Sequence, residues 1–280
     1  MIVGKVINNN VISVIENNVE KIIMGRGIGF KKKKGDIVEE NKIEKIFIIE
    51  NEFNAIKFKE LMANIPMDCM LIADDIIIHA KKILKRKFSD LLYINLADHI
   101  DAAINRVEEG ITIKNLLIID VKRFYPEEFE LGKYGLNIIN NKFGVSLPED
   151  EAGFIALHIV NAEEKYEDKN EVIKMFEIIH LIEDIVRNEY NVIFDESNVY
   201  YFRFLTHLKF FAERLLSKGK YNSEKNLDYD LFDTVIKKYK EANRCVGVIK
   251  NVLNDMYGYD ISVEEEMYLT LHVQRLISLT

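Results

Sequence analysis

Six histidines, His79, His99, His158, His180, His207 and His272, are the side chains best suited to chemistry near neutral pH. Four of them recur in register. Leu96 to Arg106 aligns without gaps to Phe204 to Arg214, which sets His99 over His207 and Arg106 over Arg214, with arginine seven residues after histidine both times. Gly144 to Glu151 with Leu157 to Ile159 aligns to Gly258 to Glu265 with Leu271 to Val273, and here glutamate precedes His158 and His272 by seven. A lone histidine on a helix is usually structural, and His79 and His180 keep that reading. Matched recurrence sets His99, His158, His207 and His272 apart from it.

Neutral imidazole is also a common metal ligand. A carboxylate-bridged di-iron bundle, however, needs Glu-x-x-His twice, and the sequence offers it once, at Glu177 to His180, outside the matched set. No nucleophile, base and orienting acid recur at interpretable spacing, so hydrolytic chemistry is not supported. No metal, no cofactor and no enzymatic activity are expected. Seven residues span about two helical turns, roughly 10 Å along the axis, too far for a histidine to pair with the Arg106, Arg214, Glu151 or Glu265 of its own helix. Asp98, one residue before His99, points elsewhere around that helix. Any partner of these imidazoles must arrive from another element.

The elements that position them read as helices. Pro148 in one copy and Ser262 in the other are helix-start residues, and Ser262 with Glu265 has the spacing of a capping box. The first 50 residues read differently, as short Val- and Ile-rich strands at Val3 to Ile7, Val11 to Ile15, Lys21 to Met24 with Ile28 to Phe30, and Lys42 to Ile49. Turn-forming Asn8 to Asn10, Glu16 to Asn18, Gly25 to Gly27 and Lys34 to Asp36 separate them. The expected fold is therefore multidomain α+β: a small four-stranded antiparallel β-sheet head followed by two duplicated all-α helical-bundle domains. We place the head at residues 1–55, a linker at 56–65 ahead of the break at Pro66, and the helical repeats at 66–170 and 171–280, with their boundary in the polar run Glu163 to Glu171. A sheet of about 50 residues has little core of its own, so its apolar face is expected to pack on a second copy.

Charge marks the head as well. The chain carries −8 overall, yet residues 1–55 sum to +1, and Lys21 to Lys34 holds six basic residues and no acid. Such a strip on an acidic body suggests one polyanion-facing module. Gly25-Arg26-Gly27-Ile28-Gly29 lacks the spacing of a dinucleotide-binding loop. It reads better as a β-turn whose glycines allow close backbone approach, with a guanidinium for phosphate or base edges and Phe30 for stacking, a combination that suits RNA. Lys5, Asn8 to Asn10, Glu16 and Glu20 interrupt the opening 22 residues, which leaves neither a secretory segment nor a membrane span. Cys69 and Cys245 have no partners at metal-ligand spacing and read as reduced thiols, and a cytoplasmic location is expected.

Three stretches carry a family resemblance. They are Lys5 to Ser13 followed by Met24 to Phe30; Ser146 to Glu163; and Tyr201 to Ala212. Together they resemble the BglG/SacY family of transcription antiterminators, and the likeness spans the whole chain. It implies an RNA-binding head whose dimer clamps an imperfect RNA hairpin overlapping a terminator, so that transcription continues. By position, Lys5, Asn10, Gly25, Arg26, Gly27 and Phe30 become the RNA contacts. The helical repeats become phosphotransferase-system regulation domains, with His99 and His158 as phosphoacceptors of the first and His207 and His272 of the second. A sugar permease (enzyme II) and the phosphocarrier HPr are the implied partners, the first inhibiting through one domain and the second activating through the other. A phosphohistidine relay enzyme and a DNA-binding activator with the same regulatory domains remain as alternatives, although no helix-turn-helix opens the chain.

Overall fold

The computed structural model describes residues 1–16, 19–48, 52–163, 171–195, 198–216 and 229–278. They fall into two units, Met1–Lys169 and Asn170–Thr280. The first unit opens with four strands, β1 (Val3–Asn8), β2 (Val11–Glu16), β3 (Val19–Met24) and β4 (Lys45–Ile48), in one antiparallel sheet of order β1-β2-β3-β4. The expected head sheet is thus present, with two local corrections. Ile28 to Phe30 does not extend β3: Ile28 N–H donates to Gly25 O at 3.1 Å and Phe30 N–H to Gly27 O at 3.2 Å, which curls the chain into successive turns. Lys42 lies in a short 3-10 turn, Glu40–Lys42, ahead of β4. Asn17, Asn18 and Ile49 are outside the described residues.

Both faces of this sheet carry buried apolar residues. Val3, Ile12, Val14, Ile23, Ile28 and Val38 make a small core on one side. On the other, Val11, Ile22, Met24 and Phe47 join the core of the following helices. This face is thus covered from within the chain, whereas on the other face Ile46 and Ile48 of β4 remain exposed, and packing on a second copy stays a proposal. The chain's own α1 (Glu52–Asn64), α2 (Met67–Leu84) and α3 (Leu91–Glu108) supply the apolar partners, with Phe58, Met62, Met70 and Tyr93 buried against the sheet residues. Phe47 lies 4.9 Å from Phe58 and 4.6 Å from Tyr93, ring centre to ring centre. Residues 56–64 accordingly lie within α1, which ends two residues before Pro66, the N-cap of α2.

Three further helices complete the first unit: α4 (Ile118–Phe124), α5 (Pro126–Phe143) and α6 (Glu149–Asn161). The second unit holds α7 (Glu171–Tyr190), α8 (Val199–Leu216), α9 (Tyr229–Lys238), α10 (Lys240–Tyr257) and α11 (Val263–Ile277). Packing repeats with the sequence. In the first unit α3 meets α2 and α6, and α5 meets α2 and α6; in the second α8 meets α7 and α11, and α10 meets α7 and α11. The helix ends repeat too. Gly144 and Gly258 close α5 and α10 at φ +67° and +64°, a left-handed conformation that glycine adopts without steric cost. Pro148 and Ser262 then cap α6 and α11, and Ser262 Oγ accepts from Glu265 N–H at 3.2 Å. The polar run between the repeats falls almost wholly in 164–170, outside the described residues. No described helix is long and apolar enough to cross a membrane.

Candidate functional site

The turn after β3 is held by backbone and by one asparagine. Gly25 N–H donates to Asn10 O, and Gly27 N–H to Asn10 Oδ1, both at 2.9 Å. Asn10 is itself fixed by its N–H donating to Asn8 Oδ1 at 2.8 Å. Gly25 has no room for a side chain, since a Cβ would fall 1.8 Å from Lys42 O, while Gly27 needs its φ of +66°. Asn10, Gly25 and Gly27 are therefore the frame of the loop, and Arg26 and Phe30 are what it displays, both exposed. Lys31 Nζ stands 5.3 Å from the centre of the Phe30 ring. Lys5 is also exposed, on β1 opposite Ser13.

Arg26 has an unforeseen neighbour. Its Nη2 donates to Asp68 Oδ1 at 2.5 Å, and Lys142 approaches the same oxygen at 3.3 Å. Asn8 Nδ2 donates to Met62 O at 3.0 Å, and Lys59 pairs with Glu20 at 2.8 Å. Of the basic strip, Lys32 pairs with Glu39, and Lys21 with Glu16. Sequence reasoning missed Asp68, which lies 42 residues from Arg26.

The matched histidines come together in pairs. His99 on α3 and His158 on α6 lie 4.9 Å apart, ring centre to ring centre; His207 on α8 and His272 on α11 lie 4.8 Å apart. Each pair has a glutamate and an arginine beside it. Glu151 Oε1 accepts from Arg106 Nη2 at 2.8 Å, and its Oε2 stands 2.9 Å from His99 Nε2. Glu265 Oε1 accepts from Arg214 Nε at 2.7 Å, and its Oε2 stands 3.8 Å from His207 Nε2. The partner required from another element is thus the glutamate of the second helix: Glu151 reaches both His99 and Arg106, and Glu265 pairs with Arg214 and stands near His207. His79, by contrast, stacks on Tyr134 at 4.1 Å.

Electrostatics distinguish the two clusters. Burial raises the Glu151 carboxyl, but its hydrogen-bonding and charged neighbours His99 and Arg106 outweigh that and hold it below the ordinary range. Burial wins at Glu265, which sits above the ordinary range despite Arg214. The longer separation from His207 fits this difference. Burial, with His272 and Arg214 nearby, depresses His207 to about 4, and burial with Arg275 and Arg203 lowers His272 as well. Both imidazoles of the second cluster are therefore neutral at pH 7, the form whose ring nitrogen offers a lone pair to an electrophile such as phosphorus.

Comparison with known proteins joins these sites to a family. The CAT RNA binding domain model matches residues 1–55, and the PRD domain model matches 74–162 and 170–276. The chain is 45% identical over 278 residues to the transcription antiterminator LicT of Bacillus subtilis (strain 168), covering 99% of each. It is 41% identical over 279 residues to the beta-glucoside operon antiterminator of Dickeya chrysanthemi, covering 99% of this chain and 97% of that one. The chain belongs to the BglG/SacY family of antiterminators. Among solved structures, the crystal structure of GlcT CAT-PRDI superimposes with a TM-score of 0.51 at 36% identity, over 58% of this chain and 98% of that one. In BglG/SacY terms, the Gly25–Phe30 loop lies in the CAT head, and each histidine pair lies within one PRD repeat.

Proposed function

We propose that this chain is a sugar-responsive transcription antiterminator. Its dimeric head binds an RNA hairpin that overlaps a terminator, and phosphorylation of His99, His158, His207 and His272 sets whether the dimer is competent. The observation that carries the reading is the CAT RNA binding domain match over residues 1–55, where Arg26 and Phe30 are displayed from a rigid turn. A guanidinium supplies phosphate contact and a ring supplies stacking, the two interactions by which unpaired RNA is held. Lys5 adds a cation on β1, while Asn10, Gly25 and Gly27 shape the loop that approaches the RNA backbone.

Two PRD repeats with intact histidine pairs support control by the phosphotransferase system, with HPr and a sugar permease enzyme II as donors. Phosphate brings roughly −1.5 to −2 charges, enough to repel a like-charged seam or recruit an arginine. The chain then acts as a regulator in the cytoplasm and has no catalytic turnover of its own. Self-association through the head is supported by the exposed Ile2 and Ile37 at one edge of the sheet. The test is a gel shift of the full chain with a terminator-overlapping RNA hairpin against duplex DNA competitor, together with terminator read-through in purified transcription. Hairpin-selective binding that raises read-through is expected. Preference for duplex DNA, or phosphate passed onward to another protein without RNA binding, would replace this reading with an activator or a relay enzyme.

A further inference from the structure

The four-residue clusters of the two repeats share a feature that pairing of histidines alone does not require. The Nε2 atoms of His99 and His207 and the Oε2 atoms of Glu151 and Glu265 are all closed to solvent, and none has a settled hydrogen-bond partner. Each faces its counterpart, His99 and Glu151 at 2.9 Å, within hydrogen-bonding reach, and His207 and Glu265 at 3.8 Å, beyond it. An ionised carboxylate can only accept a hydrogen bond, and a buried acceptor is costly when left unmet. The first pair is close enough to be satisfied by an imidazole proton on His99 Nε2; the second is not. Arg106 and Arg214 hold the other carboxylate oxygen and so fix the direction from which each glutamate approaches.

We propose that Glu151 is a positioning residue that keeps the imidazole proton on Nε2 of His99, so that Nδ1 is the nitrogen that accepts phosphate. This rests on the reading of His99 as a phosphoacceptor and adds to it the atom used and the side chain that selects it. A hydrogen bond at one ring nitrogen sets the state of the other, because a neutral imidazole carries its single proton on one of the two. With a phosphohistidine protein as donor, the Nδ1 lone pair forms the new N–P bond while the donor's N–P bond breaks, its electron pair returning to the donor ring. The Nε2 proton stays in place throughout. The acceptor ring gains the positive charge that the donor ring loses, and it gains it beside a carboxylate. No proton has to leave the buried side of the ring, and no oxidant or reductant is involved.

The same logic accounts for Arg106, seven residues after His99: against burial, His99 and Arg106 together hold the Glu151 carboxyl below the ordinary range, in the form that only accepts a hydrogen bond. At His207 the contact is beyond hydrogen-bonding distance and burial holds Glu265 high despite Arg214, so no tautomer selection is expected there.

The experiment uses the full chain with 15N-labelled histidine. Long-range 1H–15N spectra, assigned with His99→Asn and His207→Asn, read the tautomer directly. Phosphoramidate, a small phosphoryl donor, then labels the histidines without protein docking, and 31P and 15N shifts report the nitrogen modified. The expected result is the Nε2–H form at His99 and phosphate on its Nδ1. Glu151→Gln, nearly isosteric, is expected to mix the tautomers of His99 and slow its labelling by about ten-fold or more, with the effect confined to that repeat, whereas Glu265→Gln, whose contact is too long, should leave the His207 tautomer unchanged. Melting temperature and RNA affinity serve to separate this from unfolding. Phosphate found on Nε2 of His99, or labelling and tautomer of His99 unchanged in Glu151→Gln, overturns the proposal while leaving the phosphoacceptor reading intact. If phosphoramidate and phosphorylated HPr both leave all four histidines unmodified, the underlying reading fails, and the proposal with it, whichever tautomer the spectra show.

Discussion

Phe30 and Arg26 are displayed by one turn, yet they answer to different forces. Phe30→Ala is expected to weaken RNA binding by roughly 1–3 kcal/mol with the salt dependence unchanged, because stacking involves no counterion. Arg26→Ala is expected to flatten the plot of log affinity against log salt by about one unit. Titrations of the full chain across a salt series measure both, and unchanged affinity in both variants would mean that the loop is only structural. His207 gives a prediction of another kind. Its folded pKa of about 4 lies below its ordinary 6.5, so the unfolded chain takes up the proton first as pH falls. The stability it contributes is full above about pH 6.5 and declines toward pH 4. Glu265, held high by burial, works in the opposite sense, costing stability as pH rises through its own raised value. Melting curves between pH 4 and 7 for the chain and for His207→Asn isolate the histidine, and the variant should show the shallower fall on acidification. Equal slopes would show that His207 is not buried neutral.

At the scale of elements, the strands, helices and repeats were largely legible, and the departures have local causes. Ile28 to Phe30 has the apolar alternation of a strand, but glycines at 25, 27 and 29 let the backbone fold back, and Asn10 captures it through a contact 17 residues away. The histidine clusters were half legible. Arginine follows histidine by seven on α3 and glutamate precedes histidine by seven on α6, so pairing like with like sets the two helices antiparallel, with His99 beside His158 and Arg106 beside Glu151. The mirrored offsets were visible; that they meet across two helices was not, because the spacing on one helix carries no information about its neighbour. That α1 to α3 cover one face of the head sheet was not legible, because this burial depends on contacts distant in sequence. Glycine substitutions test the loop frame. Gly25→Ala, whose Cβ would meet Lys42 O, is expected to lower both the melting temperature and RNA affinity, whereas Gly247→Ala in α10, with open space around it, should be neutral or stabilising by up to about 1 kcal/mol. Equal effects from the two would show that the close approach at Gly25 carries no weight.

At the scale of the whole molecule, the proposed RNA-binding loop carries a contact of its own. Asp68 places a carboxylate on Arg26, the residue proposed to take an RNA phosphate, and the pair is exposed, so it is worth at most about 1 kcal/mol. Asp68→Asn is expected to raise RNA affinity by up to about five-fold, and the gain should vanish in the Arg26→Ala background, which a double-mutant cycle reads. The larger switch needs phosphate. Aspartate at His207 or His272 is expected to favour the competent dimer and aspartate at His99 the incompetent one. Both repeats pair two histidines within 5 Å and set a glutamate on an arginine beside them, and their differences, a longer histidine–glutamate contact and a higher Glu265 in the second, do not by themselves give opposite signs. On the proposed dimer, opposite signs would come from what each repeat meets in the second copy, so the signs test the proposed assembly and not the cluster. Aspartate brings about one charge on a short side chain, less than phosphate, and partial shifts are expected. Dimer dissociation and terminator read-through are measured for each variant without phosphate donors. If His99→Asp and His207→Asp move both readouts the same way, the two repeats are not antagonistic, and RNA binding by the head would have to be regulated through their sum.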